Sequence, residues 1–272
     1  MLKDITLGQY YPADSVLHRL DPRVKLLGTV LFIVCCFLYK GTISLILLTV
    51  LLLLFIGISK VPPKKMIRGV RALWPLILIM AFFNLFFTDG DILYWHAAFL
   101  KITDAGIHNA VVYTIRLVYL IIGSSVMTLT TTPNKLTDGM EEGLKVFNRI
   151  GVPVHEIAMM MSIALRFIPL LGEEAEKIKK AQLARGASFD EGGVIQRAKG
   201  MLPVLIPLFV SAFGRANDLA LAMEARCYRG GEGRTKLHPL VFARRDYIGL
   251  VLVFVMTAVF IVLRPFDFAL PF

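Results

Sequence analysis

Acidic residues are scarce in this chain of 272, with 20 Asp and Glu against 30 Lys and Arg, and there are only three cysteines. Cys35 and Cys36 lie inside an apolar run and Cys227 stands apart, without CxxC spacing or a His cluster nearby. Neither a disulfide framework nor a metal site is expected from them. No G-x-x-x-x-G-K-[ST] occurs, and the nearest glycine cluster, "GGEGRTK", has the wrong spacing, so no P-loop nucleotide site is expected in this chain. The opening "MLKDITLGQYYPADSVLHRLDPRVKLL" has no short apolar core ending in a small-residue cleavage site, so it is expected to be retained.

What is abundant is apolar surface. Apolar residues make up 56% of the chain, above the roughly 45–50% of an ordinary soluble domain. They are also clustered: Leu26 to Tyr39 and Gly41 to Ser59 carry no charge, and only Lys40 separates them. A hydrocarbon core of about 30 Å needs about 20 helical residues, so these runs read as two spans joined by a tight turn. Ala72 to Thr88, Ile107 to Thr132 and Tyr247 to Leu263 bring the number to five. In such a chain the net charge of +10 reflects the cytoplasmic bias of Lys and Arg, and no nucleic-acid partner is expected.

The loops agree on one orientation. Lys60, Lys64, Lys65, Arg68 and Arg71 follow the second span, whereas Asp89, Asp91, Lys101 and Asp104 follow the third. The first loop is therefore expected inside and the second outside. This places the N-terminus with Arg19, Arg23 and Lys25 inside, together with everything from about Asn134 to Asp246, and leaves "RPFDFALPF" external. In "DPRVK", Asp21 is expected to cap the first span, Pro22 to take its first position, and Arg23 and Lys25 to snorkel to headgroups. Arg116, the one charge within the fourth run, is expected to snorkel or pair inside the bundle rather than carry an ion.

Three parts follow: residues 1–132 with four spans, a cytoplasmic region 133–245, and 246–272 with the last span. The cytoplasmic region reads as helical. "TTPNKLTDGMEEGLKVF" starts with Thr132 and Pro133 as cap and first turn and sets Leu136, Met140, Leu144 and Phe147 on one face, before Gly151 and Pro153 break it. A long helix from about Val154 to Arg185 follows, bent at Pro169, and another from about Ile195 to Cys227. Ala181 and Ala184 in one, and Ala212, Ala216 and Ala220 in the other, are small residues that let backbones approach, so the two helices are expected to cross.

Each long helix ends in the same frame, "AQLARG" and "AMEARC", 41 positions apart. Gly186 suits a left-handed helix terminus, and an Arg there complements the dipole, which explains one occurrence. Two occurrences, each with Arg between small residues, point to a guanidinium that enters a partner's groove and makes several directed hydrogen bonds. Two such plugs imply two similar receptors.

With "LHRLDPRVKLL" before the first span, "TTTPNKLTDGMEEGL" after the fourth, and the paired "AQLARG" and "AMEARCYRGG", the chain resembles the transmembrane coupling subunits of energy-coupling factor transporters, the EcfT proteins, and their cobalt-system relatives, CbiQ. The resemblance implies an all-α integral membrane protein of about five transmembrane helices with a cytoplasmic coupling region containing two long crossed helices. It implies a prokaryotic plasma-membrane importer in which Ala184, Arg185 and Gly186 dock on one ABC-type ATPase, and Ala225, Arg226 and Cys227 on another. ATP and Mg would belong to those subunits and no cofactor to this chain. A separate substrate-binding membrane protein would bring a micronutrient, a vitamin by the resemblance, with a cobalt or nickel system as the alternative. Met159, Met160 and Met161 could offer that partner an adaptable surface, or could pack as ordinary helix residues.

Two rivals have weaker support. An intramembrane protease is suggested by Glu173-Glu174, but Ile178 stands where the E-E-x-x-x-R pattern needs Arg, and His155-Glu156 lacks a second His four residues after the first. A self-contained carrier would need intramembrane ionisable groups or broken helices in repeated halves, and the spans offer little beyond Arg116 and Asn84.

Overall fold

The structure is a computed structural model that describes residues 10–39, 41–88, 93–97, 100–189, 193–231 and 239–263. Lys40, Asp89, Asp91 and "RPFDFALPF" lie outside them. The elements are α1 (Val16–Arg19), α2 (Pro22–Leu38), α3 (Thr42–Ser59), α4 (Pro63–Ala72), α5 (Trp74–Phe87), strands β1 (Leu93–Ala97) and β2 (Leu100–Thr103), α6 (Asp104–Thr130), α7 (Pro133–Leu144), a 3-10 turn (Lys145–Ile150), α8 (Val154–Ala184), α9 (Val194–Ala225) and α10 (Arg244–Leu263). They form two compact units, one from the described parts of Gly8–Gly139 and Leu240–Phe272, the other from those of Met140–Pro239.

In the first unit α2, α3, α6 and α10 pack on one another. Phe32, Cys35, Cys36, Leu48, Leu52 and Phe260 are buried together, with Tyr119 against them. Polar side chains inside this cluster are spent locally: Tyr39 donates to the Val112 carbonyl at 2.8 Å, and the Thr49 and Tyr119 hydroxyls meet at 2.6 Å. Arg116 pairs inside the bundle, its guanidinium 5.1 Å from the ring of Tyr39, 5.2 Å from Tyr113 and 5.8 Å from Phe37. An aromatic box gives a cation attractive π faces, which accounts for this charge without a transported ion.

The third run begins later than its composition implies. Residues 60–72 are not a plain loop: α4 is an amphipathic helix that buries Met66 and exposes Lys64 and Lys65, and it meets α5 at a 58° bend beside Leu73. Pro75 explains the break, because in a continuous helix its ring would collide with the carbonyl four residues back. A small hairpin was not foreseen. β1 pairs antiparallel with β2, and Thr103 then caps α6, its hydroxyl accepting the Gly106 N–H at 3.0 Å and donating to the Thr88 carbonyl at 2.8 Å. A Cβ on Gly106 would lie 2.8 Å from the Leu85 carbonyl oxygen, so glycine lets α5 and α6 approach there.

The start of α2 is a hub rather than a surface anchor. Asp21 caps it as expected, accepting the Arg23 N–H at 2.9 Å with Pro22 at the first position. Arg23 and Lys25, however, do not snorkel. Lys25 is buried and donates to the Thr130 carbonyl at 3.0 Å and the Thr131 hydroxyl at 3.2 Å, closing the end of α6. Arg23 donates to the Leu240 carbonyl at 3.2 Å and lies 5.0 Å over the Phe242 ring. These carbonyls are unsatisfied helix-end or loop acceptors, which hold a cation more firmly than a headgroup in exchange with water.

Asp246 completes the hub from α10. It is 2% exposed, and its two carboxylate oxygens accept the backbone N–H of Asp21 and of Ala243, each at 2.8 Å. Asp246→Ala should therefore lower stability by about 2–4 kcal/mol, since two buried donors lose their acceptor. The loss is expected as a lower unfolding midpoint in detergent, with Asp246→Asn costing less; an unchanged midpoint for Asp246→Ala would refute the assignment.

By length and composition α6, α8, α9 and α10 could each cross a membrane, with the bent α4–α5 pair as a fifth. At 17 and 18 residues α2 and α3 extend about 26 Å, slightly less than a hydrocarbon core. The chain is an all-α, multi-pass membrane protein, with one small hairpin among the described residues.

Candidate functional site

In the second unit the two repeated motifs fold into the same local shape. Arg185 is the residue after α8, at φ −88 and ψ 6, and Arg226 the residue after α9, at φ −91 and ψ 13. The next residue is left-handed in both, Gly186 at φ 87 and Cys227 at φ 57. After α8, the Gly186 N–H donates to the Leu183 carbonyl and Ala187 to Gln182, both at 3.0 Å. After α9, Cys227 donates to Glu224 at 2.8 Å and Tyr228 to Met223 at 3.0 Å. These are two Schellman endings with Arg at the cap position of each.

That geometry leaves the arginine side chains no part in the capping bonds. The backbone already satisfies the last carbonyls, and among the described residues neither guanidinium takes part in a hydrogen bond or ion pair. Both arginines are exposed, as are Ala184, Gly186, Ala225 and Cys227 around them. What remains is two cationic forks on slim ends. Cys227 pays a conformational cost that Gly186 does not, because a left-handed residue with a Cβ is unfavourable by about 1–2 kcal/mol. Cys227→Gly should slow amide exchange at Tyr228 and Gly186→Ala should speed it at Ala187; equal exchange in both variants would contradict this.

The chain after each motif folds back. Phe189 is buried with Lys179 5.6 Å over its ring, and Gly231 lies so close to His155 that a Cβ would be 2.3 Å from its Cδ2. His155 in turn sits 2.8 Å from the Glu141 carboxylate through Nδ1. Each arginine is thus held between a helix and an anchored return.

α8 and α9 pack antiparallel, since residue 174 meets 215 while 182 meets 203. The Arg215 guanidinium donates to the Glu174 carboxylate, and Gln182 donates to the Pro203 carbonyl at 3.3 Å. Hydrogen bonding from Arg215, with Ser211 helping, holds the Glu174 carboxyl below its ordinary range. Of the alanines expected at a crossing, Ala212 is half-buried, while Ala181, Ala216 and Ala220 are exposed. The ion pair was missed, although the sequence held a signal. Glu174 and Arg215 are separated by the same 41 residues as Arg185 and Arg226.

The apolar sides of these helices are uncovered. Met160 and Met161 are exposed, Met159 is half-buried, and Ile157, Phe209 and Phe213 are exposed too. Phe147 does not share a helix face with Leu136, because α7 ends at Leu144; the 3-10 turn that follows exposes Val146, Phe147 and Ile150 and closes at Gly151 with φ 83. Glu174 and His155, which gave the protease reading its residues, are engaged with Arg215 and Glu141. Among the described residues no group of three His, Cys, Asp or Glu is placed to hold a metal.

Comparison with known proteins identifies the family. The sequence model of the CbiQ family, described as cobalt transport protein, matches residues 13–237. The chain is 49% identical to the energy-coupling factor transporter transmembrane protein EcfT of Acidaminococcus fermentans over the full length of both. It is 48% identical to that of Clostridium kluyveri over 97% of this chain and 98% of the relative, and 41% identical to that of Bacillus subtilis over 97% and 100%. These matches extend over the length of the chain, and the chain belongs to the CbiQ/EcfT family of transporter transmembrane proteins.

Proposed function

We propose that this chain is the membrane scaffold of an energy-coupling factor importer, in which Arg185 docks on one ABC-type ATPase subunit and Arg226 on a second. The observation that carries the reading is the pair of equivalent Schellman endings, each presenting an exposed arginine that the chain itself does not use. A fork of N–H donors on a slim terminus suits a groove lined with carboxylates and carbonyls. ATP and Mg belong to the partner subunits on this reading, and this chain performs no catalysis.

The spans are α2, α3, α5, α6 and α10, with α7 to α9 on the cytoplasmic face. Arg166, the prolines at 169, 203 and 207, and the charged second half of α8 support an interfacial course for the long helices over a spanning one. Their uncovered apolar sides, Met160 and Met161 included, then face lipid or a substrate-binding membrane protein. Closure of the ATPase pair on ATP would move the two arginine ends relative to each other and tilt that protein, releasing a vitamin-like micronutrient inside.

The family description also names cobalt, and a metal-dedicated importer is the second reading. The full-length relatives reported above bear the general energy-coupling name, which favours the first. Reconstitution decides: uptake of a vitamin in proteoliposomes should need this chain, both ATPases, a substrate-binding protein and ATP together. Uptake by this chain alone would overturn the scaffold reading, and uptake of cobalt only would favour the second.

A further inference from the structure

The first unit contains a cavity of about 300 Å³ that the scaffold role does not use. It lies at one end of the helix bundle, between the first turns of α2 and α10 and the last turns of α3 and α6, with α1 across it. Its wall is apolar, including Val24, Phe32, Leu52, Val126 and Leu252. The polar groups on that wall are already committed. Thr29 donates to the Lys25 carbonyl at 2.8 Å, Thr130 to Met127 at 3.3 Å, and the Lys25 ammonium to Thr130 and Thr131. Water inside would find few partners, so the space suits a hydrocarbon occupant.

Arg245 lines the same cavity and is exposed. Its neighbour Asp246 turns both carboxylate oxygens to the backbone N–H groups of Asp21 and Ala243 and makes no ion pair with it. Among the described residues nothing else pairs with the Arg245 side chain. The cavity thus has at one end a cation without an ion-pair partner among the described residues, and apolar walls beyond it. From Arg245 to Val253 the α10 wall extends about 12 Å, close to the roughly 15 Å hydrocarbon depth of one leaflet.

We propose that this cavity is a binding site for one anionic phospholipid, with an acyl chain between α2, α3, α6 and α10 and the phosphate against Arg245. The site is independent of the ATPase-docking ends, since all its residues belong to the first unit. Bound lipid fills what would otherwise be a void beside the hub of Asp21, Lys25 and Asp246, and so makes bundle stability depend on leaflet composition.

The test is native mass spectrometry of the full chain extracted from vesicles of mixed phosphatidylglycerol and phosphatidylcholine. One retained phosphatidylglycerol per chain is expected, favoured over phosphatidylcholine roughly fivefold, the discrimination one interfacial cation supplies. Arg245→Gln should abolish the preference but leave a lipid bound, whereas Arg244→Gln, a neighbouring exposed cation off the cavity, should keep it. Leu252→Trp, which fills the space, should remove the retained lipid of either kind. Equal retention of both lipids by the unaltered chain, or an unchanged preference in Arg245→Gln, overturns the site, as does full lipid retention in Leu252→Trp or occupancy by a second copy of the chain. Co-purification with ATPases stays intact in each variant, so this outcome is read separately from the docking proposal.

Discussion

Arg185→Glu and Arg226→Glu are each expected to weaken co-purification with the ATPase pair by about 10- to 100-fold, and together to abolish it. The range follows from losing charge-assisted hydrogen bonds worth about 1.5–3 kcal/mol, with repulsion added where a carboxylate replaces a guanidinium. The two ends belong to one body, so while either remains docked the other rebinds at high effective concentration. That linkage is why the double change should exceed a simple pair of weak defects. Arg→Lys at both positions is the sharper control. It keeps the charge and loses the planar fork, so an intermediate affinity is expected if directed hydrogen bonds do the docking. Because the cap bonds are backbone only, helicity should be unchanged in all these variants. Full assembly and ATP-driven uptake in the double Glu variant would reduce the repeated motif to two helix endings.

Local rules made much of the architecture legible. Asp21 and Pro22 cap α2, Pro133 opens α7, and the long helices end at Arg185 and Arg226, because capping and termination depend on a few neighbouring residues. What escaped needed partners distant in sequence. Lys25 reads as a snorkelling cation until the end of α6 supplies Thr130 and Thr131, and Asp246 carries no local signal of its role, since Asp21 meets it from 225 residues away. The hairpin of Leu93–Ala97 and Leu100–Thr103 was hidden by its shortness, and the α4–α5 bend by treating basic residues as a loop rather than one face of a helix. At the two arginine ends the motif and the match of Cys227 to Gly186 were visible, but the left-handed conformation they share was not, since a left-handed cysteine is an exception that only backbone angles reveal.

The Glu174–Arg215 contact should decide whether motion at one arginine end reaches the other. Arg185 lies 11 residues beyond Glu174, and Arg226 lies 11 beyond Arg215. Each arm is therefore about 16 Å of helix. Since α8 and α9 are antiparallel, the arms leave the contact in opposite directions. An ion pair at equal distance from both ends lets displacement of one arm be answered by the other, whereas apolar contacts alone would allow the helices to slide. Glu174→Arg and Arg215→Glu each place like charges face to face, so uptake is expected to fall several-fold while both arginine ends still bind ATPase. The exchange variant, Glu174→Arg with Arg215→Glu, restores opposite charges and should recover most of the uptake, a non-additivity that independent defects would not produce. Acidification gives the same result by another route. The Glu174 carboxyl titrates below its unfolded value near 4.5, so the bridge is complete above that pH and is lost only as pH falls through the lower folded value. Uptake that falls in both single variants and stays down in the exchange variant would mean that side-chain shape, not charge, governs the contact. Unimpaired uptake in both single variants would remove the pair from the coupling path and leave the helix bodies alone to carry the motion.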